Sequence, residues 1–337
     1  MNSRNFKNLF KRNHVLTDVV GLEIGAGVAQ GVPAVRLRRQ NEKVEVVAAG
    51  FLDLKGDLPE NHAAAEIQPV WQLPGKFAAP HAALALTSTL GVIRHATGAG
   101  EDIPEKKQMM YREIDRSFGS DVPPLLAAMP DFQASWAAKL LPEGRRPTAC
   151  SLQLTSLAAM NCFQRHATCH RLEGGCVVLF VFQSYTAMVA FHSGIPLLYR
   201  EHPLGALHIQ QEIASRMQMD VATVNQFMED ASVDLSLIFE SVLRPLYRQV
   251  EIISDYVSRR RNTQVSRYYL AGAVAGEVYW ISVFKQIMQG DIDVFRTFSD
   301  LLVVENEASV LVDRKSMEPL LLGATGAALA ALEVVEK

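Results

Sequence analysis

GGCVVLFVFQSYTAMVAFHSGIPLLYREHPLG, residues 174–205, reads as three short strands joined by tight turns. A stretch of the same shape lies near the N-terminus: VGLEIGAGVAQGVPAVRLRRQNEKVEVVAAGFLDL, residues 20–54. Its β-rich runs cover 19–24, 32–38 and 44–51, and connections this short make each stretch an antiparallel meander. Set side by side, the two place Glu23 opposite Val181 and Gly25 opposite Gln183. The first turn is Gly25-Ala26-Gly27. The second is Gln183-Ser184, with no glycine to approach a phosphate and no carboxylate to hold a metal.

Each meander is followed by helices. After the first come a polar stretch (55–80), a strand pair around Ser88 (82–93), an amphipathic helix at 104–118 and a loop-like DVPPLLAAMPDF. Helices at 133–141 and 155–164 follow. After the second come helices at 205–217 and 221–230, the latter capped by Asp220. A long helical region, 234–261, contains Pro245, which begins or kinks a helix. A strand at 265–270 enters the glycine turn AGAVAG, a helix spans 278–288, and an alanine-rich helix closes the chain at 320–335. Two similar halves predict two lobes facing across a cleft.

Composition narrows the function. The chain has 337 residues, 49% hydrophobic and 20% charged, and a formal charge of -3 that speaks against a general nucleic-acid binder. Cys150, Cys162, Cys169 and Cys176 follow no zinc-ribbon or CxxC spacing and suit a reducing cytoplasm. In CFQRHATCH, the order of Cys162, His166, Cys169 and His170 matches no common ligand spacing, so the run reads as helix and loop. No apolar run reaches the about 20 residues of a membrane helix. Residues 1–14 form a basic amphipathic segment, with Phe6, Leu9 and Phe10 on one face among Arg4, Lys7, Lys11 and Arg12. It reads as a solubilising end or as a weak contact with an anionic membrane surface. Glu113 and Asp115 read as a solvated helix face, Arg259 to Arg261 as cations at a helix C-terminus, and His192 and His202 as non-catalytic.

In this order the pieces resemble the PilM/FtsA branch of the actin-like nucleotide-binding superfamily. VGLEIGAG stands at the family's first phosphate motif, with Glu23 where aspartate is usual. ACSLQLTSLAAMNCF resembles the segment before the second lobe, and FHSGIPLLYREHPLGALHIQQEIASRMQMD the third strand, glycine turn and helix. RYYLAGAVAG matches the adenosine motif and EPLLLGATGAALAAL the closing helix. The resemblance implies an α/β, actin-like (ribonuclease H-like) two-lobed fold. Lobe I would take residues 15–81 and 133–175, a small inserted α+β subdomain 82–132, lobe II 176–318, and a closing helix 319–337 would return to lobe I.

The resemblance also implies a nucleotide site, here degenerate: Glu23, Gly25, Ala26 and Gly27 from the first loop, Ser184 from the second, and Gly272 from the adenosine motif. The family's second loop reads Asp-hydrophobic-Gly, whereas this chain has Val181, Phe182 and Gln183, and Gly272 is followed by Ala273. Phosphoryl transfer in such a site is mainly placement of charge. The expectation is therefore a pseudo-ATPase: no catalytic residue, no bound metal, and no cofactor required, with ATP and Mg²⁺ left open. The implied role is a cytoplasmic adaptor of type IV pilus or type II secretion assembly, peripheral at the inner membrane. It would hold the N-terminal cytoplasmic peptide of a PilN-like membrane protein, with the pilus motor ATPase and a second copy of the chain as further contacts. The alternative is a nucleotide-binding switch in the same machinery. A sugar or acetate kinase would need a substrate base in the cleft, and the sequence offers none.

Overall fold

The computed structural model describes residues 16–41, 43–54, 71–87, 91–95, 109–113, 125–141, 146–230, 233–288, 291–303 and 317–333. The basic segment 1–14, Ser88 and Asp115 lie outside them. The first meander forms as expected: β1 (Asp18–Ile24), β2 (Val32–Gln40) and β3 (Lys43–Leu52) pair antiparallel in sequence order. On the other side of β1, the parallel strands β4 (His81–Leu86) and β8 (Thr148–Leu154) extend the sheet. HAALAL is buried along nearly its whole length, as suits a parallel strand with both faces covered.

The second meander is β9 (Gly175–Val181), β10 (Thr186–His192) and β11 (Ile195–His202). Parallel β12 (Val265–Gly272) and β13 (Ile292–Val294) complete the lobe II sheet in the order β11-β10-β9-β12-β13. The two sheets thus repeat one plan, an antiparallel meander continued by parallel strands.

One helix joins the lobes and another packs beside it on lobe I. α2 (Thr155–Cys169) runs from β8 to β9, and α7 (Leu322–Glu333) returns to pack on β1, β2, β4 and α2. α7 is apolar on nearly every side, so it must be enclosed. Its small residues permit close approach: a Cβ on Gly21 of β1 would collide with the Ala324 carbonyl, and one on Gly326 with the Ala158 carbonyl. α1 (Asp131–Ala138) precedes β8, while α3 (Ala206–Met217), α4 (Val221–Asp230), α5 (Ser236–Arg261) and α6 (Val278–Met288) belong to lobe II. Asp220 caps α4 as expected, its carboxylate accepting the Thr223 N–H at 2.8 Å. Pro245 lies within α5, which continues past it to Arg261.

The inserted segment departs from the reading in three ways. β4 and β5 (Val92–His95) are not a hairpin about Ser88. β4 belongs to the lobe I sheet, so the insertion starts later than Ala82, and β5 pairs with β7 (Leu125–Pro130). The expected helix 104–118 contains a strand, β6 (Met109–Glu113), paired antiparallel with β7, so Glu113 lies on a strand. The stretch read as a loop supplies β7, the middle strand of a three-stranded sheet. Helix spacing of charges in PEKKQMMYREIDRSF is worth tenths of a kcal/mol per residue, and pairing with a distant strand outweighs it. The chain also re-enters lobe I before residue 319: β14 (Leu302–Val303) pairs with β3 as the sheet's edge.

At the start of β1, Asp18 accepts two hydrogen bonds from Arg36 at 2.7 and 2.8 Å and two from Arg38 at 3.1 and 3.3 Å. Burial raises its pKa, but the two guanidiniums outweigh that and hold it below the usual carboxylate range. A depressed folded pKa stabilises above the unfolded value and is lost as pH falls through the folded one. Asp18→Asn is therefore expected to cost about 1–3 kcal/mol at neutral pH and progressively less below about pH 4, measured by urea unfolding across pH.

Candidate functional site: the cleft between the two turns

The β1–β2 loop runs from lobe I to the β9–β10 turn of lobe II. Gly25 and Gly27 hold φ of 74° and 66°, the left-handed region that glycine enters without strain. The expected partner of this loop, Glu23, points elsewhere. It is buried at 5% exposure and accepts backbone N–H bonds from Gly323 and Ala324 in the first turn of α7. Gly323 makes room for it, since a Cβ there would overlap the carboxylate. The helix end favours the anion. Desolvation wins nevertheless, and the pKa is raised to about 8. Glu23 thus acts as the buried acceptor for the start of α7.

In lobe II three backbone segments converge where a second phosphate loop would lie. The β9–β10 turn closes through a Phe182 N–H to Tyr185 carbonyl bond of 2.9 Å, with the two rings stacked at 4.7 Å. The first N–H groups of α3, from Ala206 and Leu207, donate to the carbonyls of Phe182 and Gln183 at 2.8 and 3.0 Å. The Ala273 N–H donates to the Val181 carbonyl at 2.7 Å, and the Thr186 hydroxyl to the Leu204 carbonyl at 2.6 Å. A helix N-terminus can bind phosphate because its first N–H groups lack partners. Here two of those donors of α3 are spent on the turn itself.

Glycine serves this closure. A Cβ on Gly205 would collide with the backbone of Gln183 and Tyr185, and one on Gly272, with φ 85°, with the Val181 carbonyl. Gly272 stands beside Val181 in the β12–β9 register. Both glycines therefore admit the protein's own backbone.

The loops of the two lobes meet. A Cβ built on Gly27 would lie 3.8 Å from the Cβ of Gln183. The structure so brings Gly27 to the Gln183-Ser184 turn, places Gly272 beneath that turn, and leaves Glu23 below in lobe I. A second cluster escaped the sequence reading. The Tyr199 hydroxyl donates to the Glu201 carboxylate, and Ser156 Oγ lies 2.7 Å from that hydroxyl and donates to Glu201 at 3.2 Å. His95 Nε2 accepts the Tyr199 N–H at 3.0 Å. It ties β5 of the insertion and the first turn of α2 to β11. Burial, foremost, raises the pKa of both Tyr199 and Glu201. No local spacing joins residues this far apart in the chain.

Two lobes built on one repeated meander, joined by α2 and by the return from β13 to β14, with a glycine loop of the first facing a turn of the second, have an actin-like ATPase fold. The chain is PilM-like in that fold. It is similar to a solved PilM-PilN type IV pilus biogenesis complex with a TM-score of 0.65 and 14% identity, over 94% of this chain and 98% of that one. Lesser likenesses include a Bacteroides thetaiotaomicron protein with actin-like ATPase fold and unknown function, at TM-score 0.46 and 8% identity over 83% and 91% of the two chains. Another is the ethanolamine utilization protein EutJ from Carboxydothermus hydrogenoformans, at TM-score 0.44 and 14% identity over 97% and 96%. No protein-family model matches the sequence, and no curated protein matches it. Among the described residues, no helix is long and apolar enough to cross a membrane.

Proposed function

We propose that this protein is a non-hydrolysing adaptor of type IV pilus, or type II secretion, assembly. It binds the N-terminal cytoplasmic tail of a PilN-like inner-membrane protein and is peripheral at that membrane through this partner. The observation that carries the reading is the state of the second loop. Its neighbouring donors are bonded to its own carbonyls, Val181 replaces the expected aspartate, and Gln183 stands against Gly27. Without a carboxylate to hold Mg²⁺ there, the charge placement that hydrolysis requires is missing. The likeness to a solved PilM-PilN complex supports the class of partner. Contacts with the pilus motor ATPase and self-association belong to the same reading.

A second reading has one observation in its favour: the left-handed glycines of the first loop, which suit a backbone cradle for phosphate. Calorimetric titration with ATP and Mg²⁺ separates the two. The adaptor reading expects no heat at millimolar nucleotide and no phosphate release. It also expects a labelled N-terminal peptide of a PilN-like protein to bind with micromolar affinity, whether or not ATP is present. A micromolar nucleotide site, abolished by Gly27→Asp, would instead establish the switch. Gly27 suits this control better than Gly272: both hold a left-handed φ, but a Cβ at Gly27 meets van der Waals contact only, and aspartate is among the residues that enter that region at modest cost. Substitution at Gly272 would force the backbone of β9 apart.

A further inference from the structure

His166 and His170 stand one turn apart at the C-terminal end of α2, and the fold brings Asp300 to them from 130 or more residues away. Nδ1 of His166 is 2.7 Å from one carboxylate oxygen of Asp300, and Nε2 of His170 is 2.8 Å from the other. The three ligand atoms lie within 4.8 Å of one another. We propose that His166, His170 and Asp300 form a binding site for a divalent transition-metal cation, which clasps the two chain crossings between the lobes.

The arrangement is held from several sides. α2 ends with Arg171 in the left-handed region, Leu172 N–H bonded to the Ala167 carbonyl at 2.9 Å, and Arg171 N–H to that of Thr168 at 3.3 Å. This paired closure fixes the direction of His170 at the helix cap. The His166 ring packs against Phe163, Phe295 and Tyr269, with centroids at 5.7, 5.2 and 6.2 Å. Ser299 Oγ donates to Asp300 Oδ2 at 3.0 Å, orienting the carboxylate from behind, as partners of metal ligands do. The His166 and Asp300 side chains are 16% and 12% exposed and that of His170 is 53%, so one side stays open for an ion and its water.

The donor set selects the ligand. Two imidazole nitrogens and one carboxylate oxygen suit Zn²⁺ and its neighbours, whereas Mg²⁺ and Ca²⁺ prefer oxygen alone. Around a tetrahedral Zn²⁺ the ligand atoms stand about 3.3 Å apart. The two nitrogen–oxygen separations of 2.7 and 2.8 Å must therefore open by about half an ångström, which the exposed His170 ring can supply. The carboxyl end of a helix also favours positive charge. Position gives the site a consequence. α2 leads from β8 of lobe I to β9 of lobe II, and Asp300 lies between β13 of lobe II and β14 of lobe I. An ion here would tie both crossings together and restrain the angle between the lobes, whatever the cleft binds.

The test is titration of the full-length protein, freed of metal by chelator, with Zn²⁺ and separately with Co²⁺. It is done in a Cys169→Ser background, because that thiol is exposed one residue from His170 and a thiolate is a zinc ligand in its own right. One equivalent of Zn²⁺ is expected at micromolar affinity or tighter, unaffected by excess Mg²⁺, with visible Co²⁺ bands of a four- or five-coordinate site. His170→Gln, at an exposed ring, is expected to keep the melting temperature of the metal-free protein and weaken binding about tenfold or more. Absence of binding in the Cys169→Ser protein, or an affinity unchanged by His170→Gln, would overturn the site and leave a hydrogen-bonded triad.

Discussion

Replacing Gly326 by valine is expected to leave no stably folded protein. Gly326 lies in α7 where that helix crosses α2, and its missing Cβ would coincide with the Ala158 carbonyl oxygen. The opposed atoms are backbone on both sides, so no rotamer change relieves the overlap. The helices must separate, and every contact of the buried alanines along α7 loosens with them. Overpacking commonly costs about 1–3 kcal/mol where side chains can yield. Here it should exceed about 4 kcal/mol, much of the about 5–15 kcal/mol that holds a domain together. Gly326→Ala should sit between parent and valine variant. Gly75→Ala is the control, because nothing lies within 4 Å of a Cβ built there. The measurement is soluble yield and the urea midpoint of each variant. A valine variant melting within a few degrees of the parent would show that α7 does not lie on α2 as described.

The second large effect concerns Glu23 and pH. Its folded carboxyl titrates near 8, against 4.5 for the free group. Between those values the folded chain keeps a proton that the unfolded chain has released. By linkage, stability is highest below the unfolded pKa, declines as pH rises through the interval, and levels off above the folded pKa. At 1.36 kcal/mol per unit, the loss is on the order of 5 kcal/mol across the interval. Glu23→Gln keeps an oxygen for the Gly323 and Ala324 N–H groups but cannot ionise. It is expected to match the parent at about pH 5 and to exceed it by several kcal/mol at about pH 9, with a nearly flat profile between. Denaturant titrations of both proteins across pH test this. A parent whose stability does not fall from about pH 5 to 9 relative to the glutamine variant would mean that the carboxylate is solvated. The same burial separates Glu23 from the usual chemistry of its position: its oxygens already serve α7.

What could be read along the chain was whatever neighbouring residues decide. β-rich runs broken by glycine and Gln-Ser turns specify both meanders, because turn geometry and the pairing it sets are decided within a few residues. Asp220 announces its helix for the same reason. The repeat of the meander, and so the two-lobed plan, followed from these local signals. That the second turn carries neither a carboxylate nor a glycine was equally plain, being a matter of composition at Val181, Gln183 and Ser184. The inserted segment was misread because β6 and β7 are strands only in each other's company.

Tertiary structure alone decided the rest. It turned Glu23 from the cleft into the start of α7, because a glycine helix fits there and offers two N–H groups. It directed the N–H groups of Ala206, Leu207 and Ala273 onto the carbonyls of Val181, Phe182 and Gln183, which no spacing along the chain encodes. It carried Asp300 to His166 and His170, so a run whose order matched no ligand pattern acquired its third donor from the opposite crossing of the lobes. Local propensity reaches a few residues along the backbone. Packing brings together groups distant in the chain, as it does Glu23 with Gly323, Ser156 with Tyr199 and His166 with Asp300.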